Sequence, residues 1–265
     1  MTFRVLLAAS IPVVASSATP AIMAQNSAVE APAVDPVEIL RDIEVRVDEA
    51  ALLALTDNDF GIFEQIESDL RRLDTRGVVS LENYRTYWLS YALYQESIAH
   101  LRTQDMEATE QALSQASAAL SQLKIEDGEV ETLRSLVTGL QLMFVPPQDV
   151  LRDAQISQQH LDAGMRQGPT IRSYYALAIA DWNTPPEYGG RTKAEAALRE
   201  GLELPNEASG RLKPSWGRDQ AQALLIQILY TTSRAEEADT RLVSALEMYP
   251  DSVALRELIR MKKAQ

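Results

Sequence analysis

The sequence contains no cysteine. That absence excludes disulfides, zinc–thiolate centres, thiol nucleophiles and a lipid-bearing cysteine. Histidine is nearly as scarce: His100 and His160 are the two copies. Neither has a second histidine or an acidic partner at ligand spacing, so no metal site and no catalytic histidine is expected. Glycine and proline number 11 and 12, and they fall mostly between periodic segments. No run of alternating β-branched residues bounded by turns occurs, which removes the usual signature of a sheet. Positive charge is short, with 25 Lys and Arg against 38 Asp and Glu, a net charge of −13. Such a surface repels phosphate backbones and anionic membrane faces, so nucleic acid is not an expected partner. Past the N-terminus no apolar run reaches the ~18 residues of a membrane span, so the mature chain is not expected to insert.

What is present is a globular composition, 46% hydrophobic and 24% charged. The N-terminus, "MTFRVLLAASIPVVASSATPAIMAQN", carries Arg4, an apolar stretch from Val5 to Val14, then small residues up to Ala24. This is the pattern of an export signal. It predicts cleavage near Ala24, a signal peptide over 1–24, a flexible leader over 25–35, and a folded domain over 36–265. The expected location is the periplasm, without a lipid anchor because there is no cysteine.

From Pro36 onward apolar residues recur at three- and four-residue spacings, so the domain is expected to be all-α. The helical segments come in pairs: about 36–55 with 58–74, 80–102 with 105–123, 128–145 with 147–166, 170–182 with 192–204, and 216–232 with 235–249. A last helix over about 251–263 follows. Pair starts recur every ~43 to 47 residues, a period that marks stacked helical hairpins. A lone hairpin cannot cover its own apolar face, and stacking buries it. The reading is an α-solenoid of about five hairpins closed by a C-terminal capping helix.

The stretch "QAQALLIQILYTTSRAEEADTRLVSALEMYPD", residues 220–251, resembles a tetratricopeptide repeat. Ala238 and Ala245 occupy the small-residue positions of the second helix, Pro250 the closing proline, and Ser233 the glycine of the turn. Ile226 and Gln222 depart from the pattern. Ser233 and Glu236 also form a candidate capping box. The whole chain is similar to bacterial extracytoplasmic TPR-like proteins, one branch of which accompanies TRAP-type transporters. Such proteins carry a Pro-Pro-x-x-Gly-Gly-Asp loop followed by alanine. Pro185, Pro186, Gly189, Gly190 and Ala194 match, and Arg191 replaces the aspartate. The resemblance implies a TPR-like fold and an envelope location, and it carries over no transport partner.

The same loop, "PPEYGGRTKA", lacks the glycine spacing of a phosphate cradle, and Thr192 with Glu195 reads as a capping box. Asp57 or Asp59 is expected to cap a helix rather than hold calcium. No nucleophile elbow appears and no two acids are singled out as general acid and base, so no catalytic residue, no cofactor and no enzymatic activity are expected.

The one concentrated feature is "NYRTYWLSYALY", with Tyr84, Tyr87, Trp88, Tyr91 and Tyr94 mostly on one helical face. Such a stripe either packs between hairpins or binds a partner through apolar rings with a polar tip. In a solenoid the first helix of each pair lines the concave face. On that register Tyr84, Tyr87, Tyr91, Tyr94, Tyr174, Gln220, Gln227 and Thr231 are the candidate binding residues. The expected partner is a protein segment in the cell envelope. A small-molecule solute is the alternative.

Overall fold

In the computed structural model, residues 35–207 and 211–263 are described. The expected signal peptide, 1–24, and all but the last residue of the expected leader lie outside them. The described residues form eleven α-helices and no strand. They are α1 (Pro36–Asp57), α2 (Gly61–Arg72), α3 (Val79–Arg102), α4 (Met106–Gln122), α5 (Gly128–Gln141), α6 (Val150–Arg166), α7 (Ile171–Asn183), α8 (Ala194–Glu203), α9 (Arg218–Thr231), α10 (Ala235–Met248) and α11 (Val253–Lys263). The expected all-α class holds.

Helix starts follow local chemistry. Asp35, Asp105 and Asp127 accept N–H groups from the first turns of α1, α4 and α5. Asp59 accepts the N–H of Gly61 at 2.8 Å, as one of the two expected caps. Thr170 and Ser173 cap α7 reciprocally. Two expected details differ. Helix α5 stops at Gln141 and α6 starts at Val150, so Pro147 lies in the turn and not in a first helical turn. Pro146 disfavours helical backbone at Val145 just before it. The Ser233–Glu236 capping box does not form. Ser233 is left-handed (φ 61°) and ends α9, with the N–H of Arg234 donating to Leu229. A residue used to terminate one helix in this way is not in the extended conformation of an N-cap.

The packing has two layers. Helices α1, α3, α5, α7, α9 and α11 touch one another in that order, and α11 also touches α1. The array therefore returns to its beginning. Glu257 of α11 reaches Arg102 of α3 at 2.5 Å across this junction. The final helix packs on α9 and α10, at the end of the stack where a cap is expected, and also touches the first helix. The outer helices α2, α4, α6, α8 and α10 each sit against two consecutive inner helices. One crossing requires glycine: a Cβ on Gly201 of α8 would stand 2.6 Å from that of Tyr174 of α7.

Candidate functional site

Tyr87, Trp88, Tyr91 and Tyr94 project from the middle of α3 into the core, with exposures of 3%, 0%, 0% and 5%. Tyr174 is also buried. None of these five is available to a partner in this structure, so the packing alternative describes them. Tyr84 and Gln220 are half-buried, while Gln227 and Thr231 are exposed on α9. The eight candidates therefore do not form one surface.

The chain just before α9 covers the aromatic face. The Trp216 indole stacks on Tyr91 with centroids 4.6 Å apart and donates its N–H to the Tyr87 hydroxyl at 3.1 Å. Trp88 donates its own N–H to the Leu212 carbonyl at 3.0 Å. Ser215 donates twice to the Glu44 carboxylate of α1, from its N–H and its hydroxyl. Arg172, 1% exposed, binds Glu129 and Glu207 through paired hydrogen bonds of 2.6–2.8 Å and donates to the Trp216 carbonyl. Burial works against its charge, but these acceptors outweigh burial and hold the guanidinium above its ordinary range. Nothing in the local sequence around Arg172 signals this junction, because its partners lie 43 and 35 residues away.

Beside this covered face a cleft of about 640 Å³ remains between α1, the start of α9 and the α10–α11 turn. Glu44 and Asp48 enter it from α1, and Asp219 from α9. Val45 and Leu52 add apolar wall. Asp48 is open to the cleft, yet the walls strip part of its water. That loss, with repulsion from Asp219 and Glu44, pushes its pKa up to about 7. Burial also raises Glu44, against the two Ser215 bonds, and raises Asp219, against a 2.7 Å bond from the Ser252 hydroxyl. The arginines at the rim are engaged elsewhere: Arg102 with Glu257, and Arg218 with the carbonyls of Leu202 and Leu204. Among the described residues no Lys or Arg pairs with Glu44, Asp48 or Asp219. The cleft can therefore attract and neutralise a cation, and Asp48 can exchange a proton near neutral pH.

Sequence reasoning singled out no acidic pair, and this convergence is what it missed. Glu44 and Asp48 are four apart, a like-charge spacing that costs an isolated helix stability and could have been noticed. Asp219 lies far along the chain and gives no local sign.

The loop between α7 and α8 is not an anion site. The Asp181 carboxylate accepts the N–H groups of both Lys193 and Ala194 at 2.8 Å, so the start of α8 already faces a negative charge. The expected Thr192–Glu195 box does not form. Thr192 donates to the Gly189 carbonyl, and Glu195 pairs with Arg199 and Arg234. Gly190 is required there, because a Cβ would fall 2.0 Å from the Thr184 carbonyl oxygen. Contrary to expectation, each histidine has an acidic neighbour: His160 meets Glu131 at 2.6 Å, and His100 lies 3.8 Å from Glu96. Among the described residues no three His, Asp or Glu side chains are grouped to hold a metal ion. No described helix is long and apolar enough to cross a membrane. The chain matches no protein-family model, no curated protein and no solved structure.

Proposed function

We propose that this chain is a TPR-like binding protein of the periplasm that takes a basic segment of a protein partner in the Glu44–Asp48–Asp219 cleft. The observation that carries this reading is the cleft itself: three converging carboxylates that, among the described residues, no Lys or Arg pairs with, beside apolar wall. A lysine or arginine side chain offers the missing charge together with an apolar stem. The net charge of −13 would steer such a partner in from a distance. The repeat reading is supported by inner helices that begin at 36, 79, 128, 171 and 218, a spacing of about 43 to 49 residues. The periplasmic reading rests on the residue pattern of 1–24. No reaction is assigned to the cleft.

The covering of the α3 aromatics moves the proposed contact from a broad concave face to this smaller opening. Its volume also lies within the ~300–1,000 Å³ of small-ligand sites, which favours a small organic cation as the second reading.

Calorimetric titration with lysine-rich, neutral and acidic peptides, and separately with a linear diamine, tests both. The lysine-rich peptide should bind, weaken with added salt, and lose at least about tenfold in affinity in D219N, the roughly 1.4 kcal/mol of one buried charge contact. Binding of the diamine alone would select the second reading. Absence of binding by either cation, or binding unchanged in D219N, would refute the cleft as the site.

A further inference from the structure

The outer helices α2 and α4 do not pack on each other, and α3 floors the gap between them. That gap is a groove of about 270 Å³. No Asp or Glu lines it. Two arginines do, Arg71 from α2 and Arg85 from α3. Facing them from α4 are two neutral amides, Gln115 and Gln122. Gln115 accepts from Arg71 at 2.8 Å and so bridges α2 to α4. Arg71 shares its charge with Glu67 of its own helix, at 2.9 Å. Arg85 forms no ion pair among the described residues. It is half-buried, and its one acceptor there is the Leu73 carbonyl at 3.2 Å. A guanidinium carries five N–H donors, so most of the Arg85 fork is left open to the groove.

Another gap between outer helices shows how the fold treats such charge. Between α8 and α10, Arg199 pairs with Glu237 and Arg234 with Glu195, each with an acid of the facing helix. The charges of Glu195, Glu203 and Glu237 also reach Arg241 there. Between α2 and α4 the facing positions are amides, and the arginine charge is left for a solute.

We propose that the α2–α4 groove binds a small monocarboxylate with a short apolar body. The planar fork of arginine matches a carboxylate through two parallel hydrogen bonds. Leu70, Leu89 and Ala119 supply apolar wall for the body of the ligand. The groove falls just below the ~300–1,000 Å³ of drug-sized sites, which selects a small molecule. The net charge of −13 opposes every negative charge brought in, which favours a single carboxylate over a phosphate dianion. The groove shares no residue with the Glu44–Asp48–Asp219 cleft and takes a ligand of opposite charge.

Backbone amide and arginine Nε–H shifts of the full chain, titrated with butyrate, butyramide and inorganic phosphate, test the site. Butyrate should shift Arg85 and Gln115 saturably, with a Kd of about 1 mM for so few contacts, and should weaken with added salt. The uncharged butyramide should bind at least about tenfold more weakly. R85Q removes the open fork and should cost butyrate at least about tenfold in affinity, the loss of one charged contact. Q115E keeps the shape of Gln115 and supplies a carboxylate from within the chain, so it should abolish butyrate binding. That variant keeps the site testable if R85Q does not fold. No saturable shift at Arg85 or Gln115 up to about 20 mM butyrate would overturn the proposal. So would butyramide or phosphate bound as tightly as butyrate, or butyrate binding unchanged in either folded variant.

Discussion

Replacing Trp216 separates two accounts of the segment before α9, a loosely held cover or part of the core. Trp216 is 5% exposed, stacked on Tyr91, bonded to Tyr87 and packed in the cluster that joins α1 to α7. Truncation of a buried tryptophan to alanine costs about 3–5 kcal/mol through lost transfer energy and the cavity left behind. The offset stack with Tyr91 contributes about 0.5–1.5 kcal/mol of such a loss beyond area alone. The Tyr87 hydroxyl, itself buried, would lose its indole donor at a further cost of about 1 kcal/mol. These terms overlap, so Trp216→Ala should lower unfolding stability by about 4 kcal/mol. Trp216→Phe keeps an aromatic ring against Tyr91 and loses the N–H, so it should cost roughly half as much. Urea unfolding followed by circular dichroism measures both, since the helical signal does not depend on the replaced indole. A loss under about 1 kcal/mol for the alanine variant would refute the core account. It would mean that this segment can lift away and leave the α3 aromatics open to a partner after all.

Two further substitutions test other parts of the structure. Asp48 has a folded pKa of about 7 against an ordinary 3.8, so its contribution to stability is full below pH 4 and is lost as pH rises through 7. D48N should flatten the fall in melting temperature between pH 4 and 7, and parallel wild-type and variant profiles would refute the shift. For the same reason a bound lysine-rich peptide should tighten as pH rises through 7 in wild type but not in D48N, read by calorimetry. Asp181→Ala should cost about 1 kcal/mol through loss of the carboxylate that caps α8. Thr192→Ala should cost less, and the reverse order in urea unfolding would restore the Thr192–Glu195 box.

The secondary structure was legible because it is written locally. Three- and four-residue apolar spacing placed eleven helices with ends mostly within a few residues of those observed. Caps were less legible, because one N–H can be satisfied from more than one direction. Thr192 precedes α8 in sequence, but Asp181 reaches the same N–H groups across the loop and brings a full charge to the positive end of the helix. The aromatic stripe was visible as a feature and ambiguous as a function. Contacts from far along the chain, such as Trp216, 125 residues after Tyr91, decide that the stripe faces inward. The cleft was illegible for the same reason. Its acids come from the first helix and the ninth, and they meet because α11 returns to α1, a closure that a repeat period does not encode.

That closure gives the cleft its energetic meaning. Where the array meets its own beginning, the economical solution is an ion pair or an apolar contact, and the Arg102–Glu257 pair shows that the junction can use one. A few side chains away, Glu44, Asp48 and Asp219 have raised pKa values and, among the described residues, no ion-pair partner. The charge of Arg172 offsets only part of the burial of Glu44, so each of the three acids weakens the fold near neutral pH. A lysine at Leu52, one turn beyond Asp48 on α1, would offer a charge to the cleft from within the chain. If the acids have no ligand, Leu52→Lys should raise the melting temperature at pH 7 at no cost. If they await a cation, as proposed, the same substitution should stabilise the chain and abolish binding of the lysine-rich peptide. Stabilisation with binding intact would separate the acids from the function and leave the cleft as an unrelieved strain of closure.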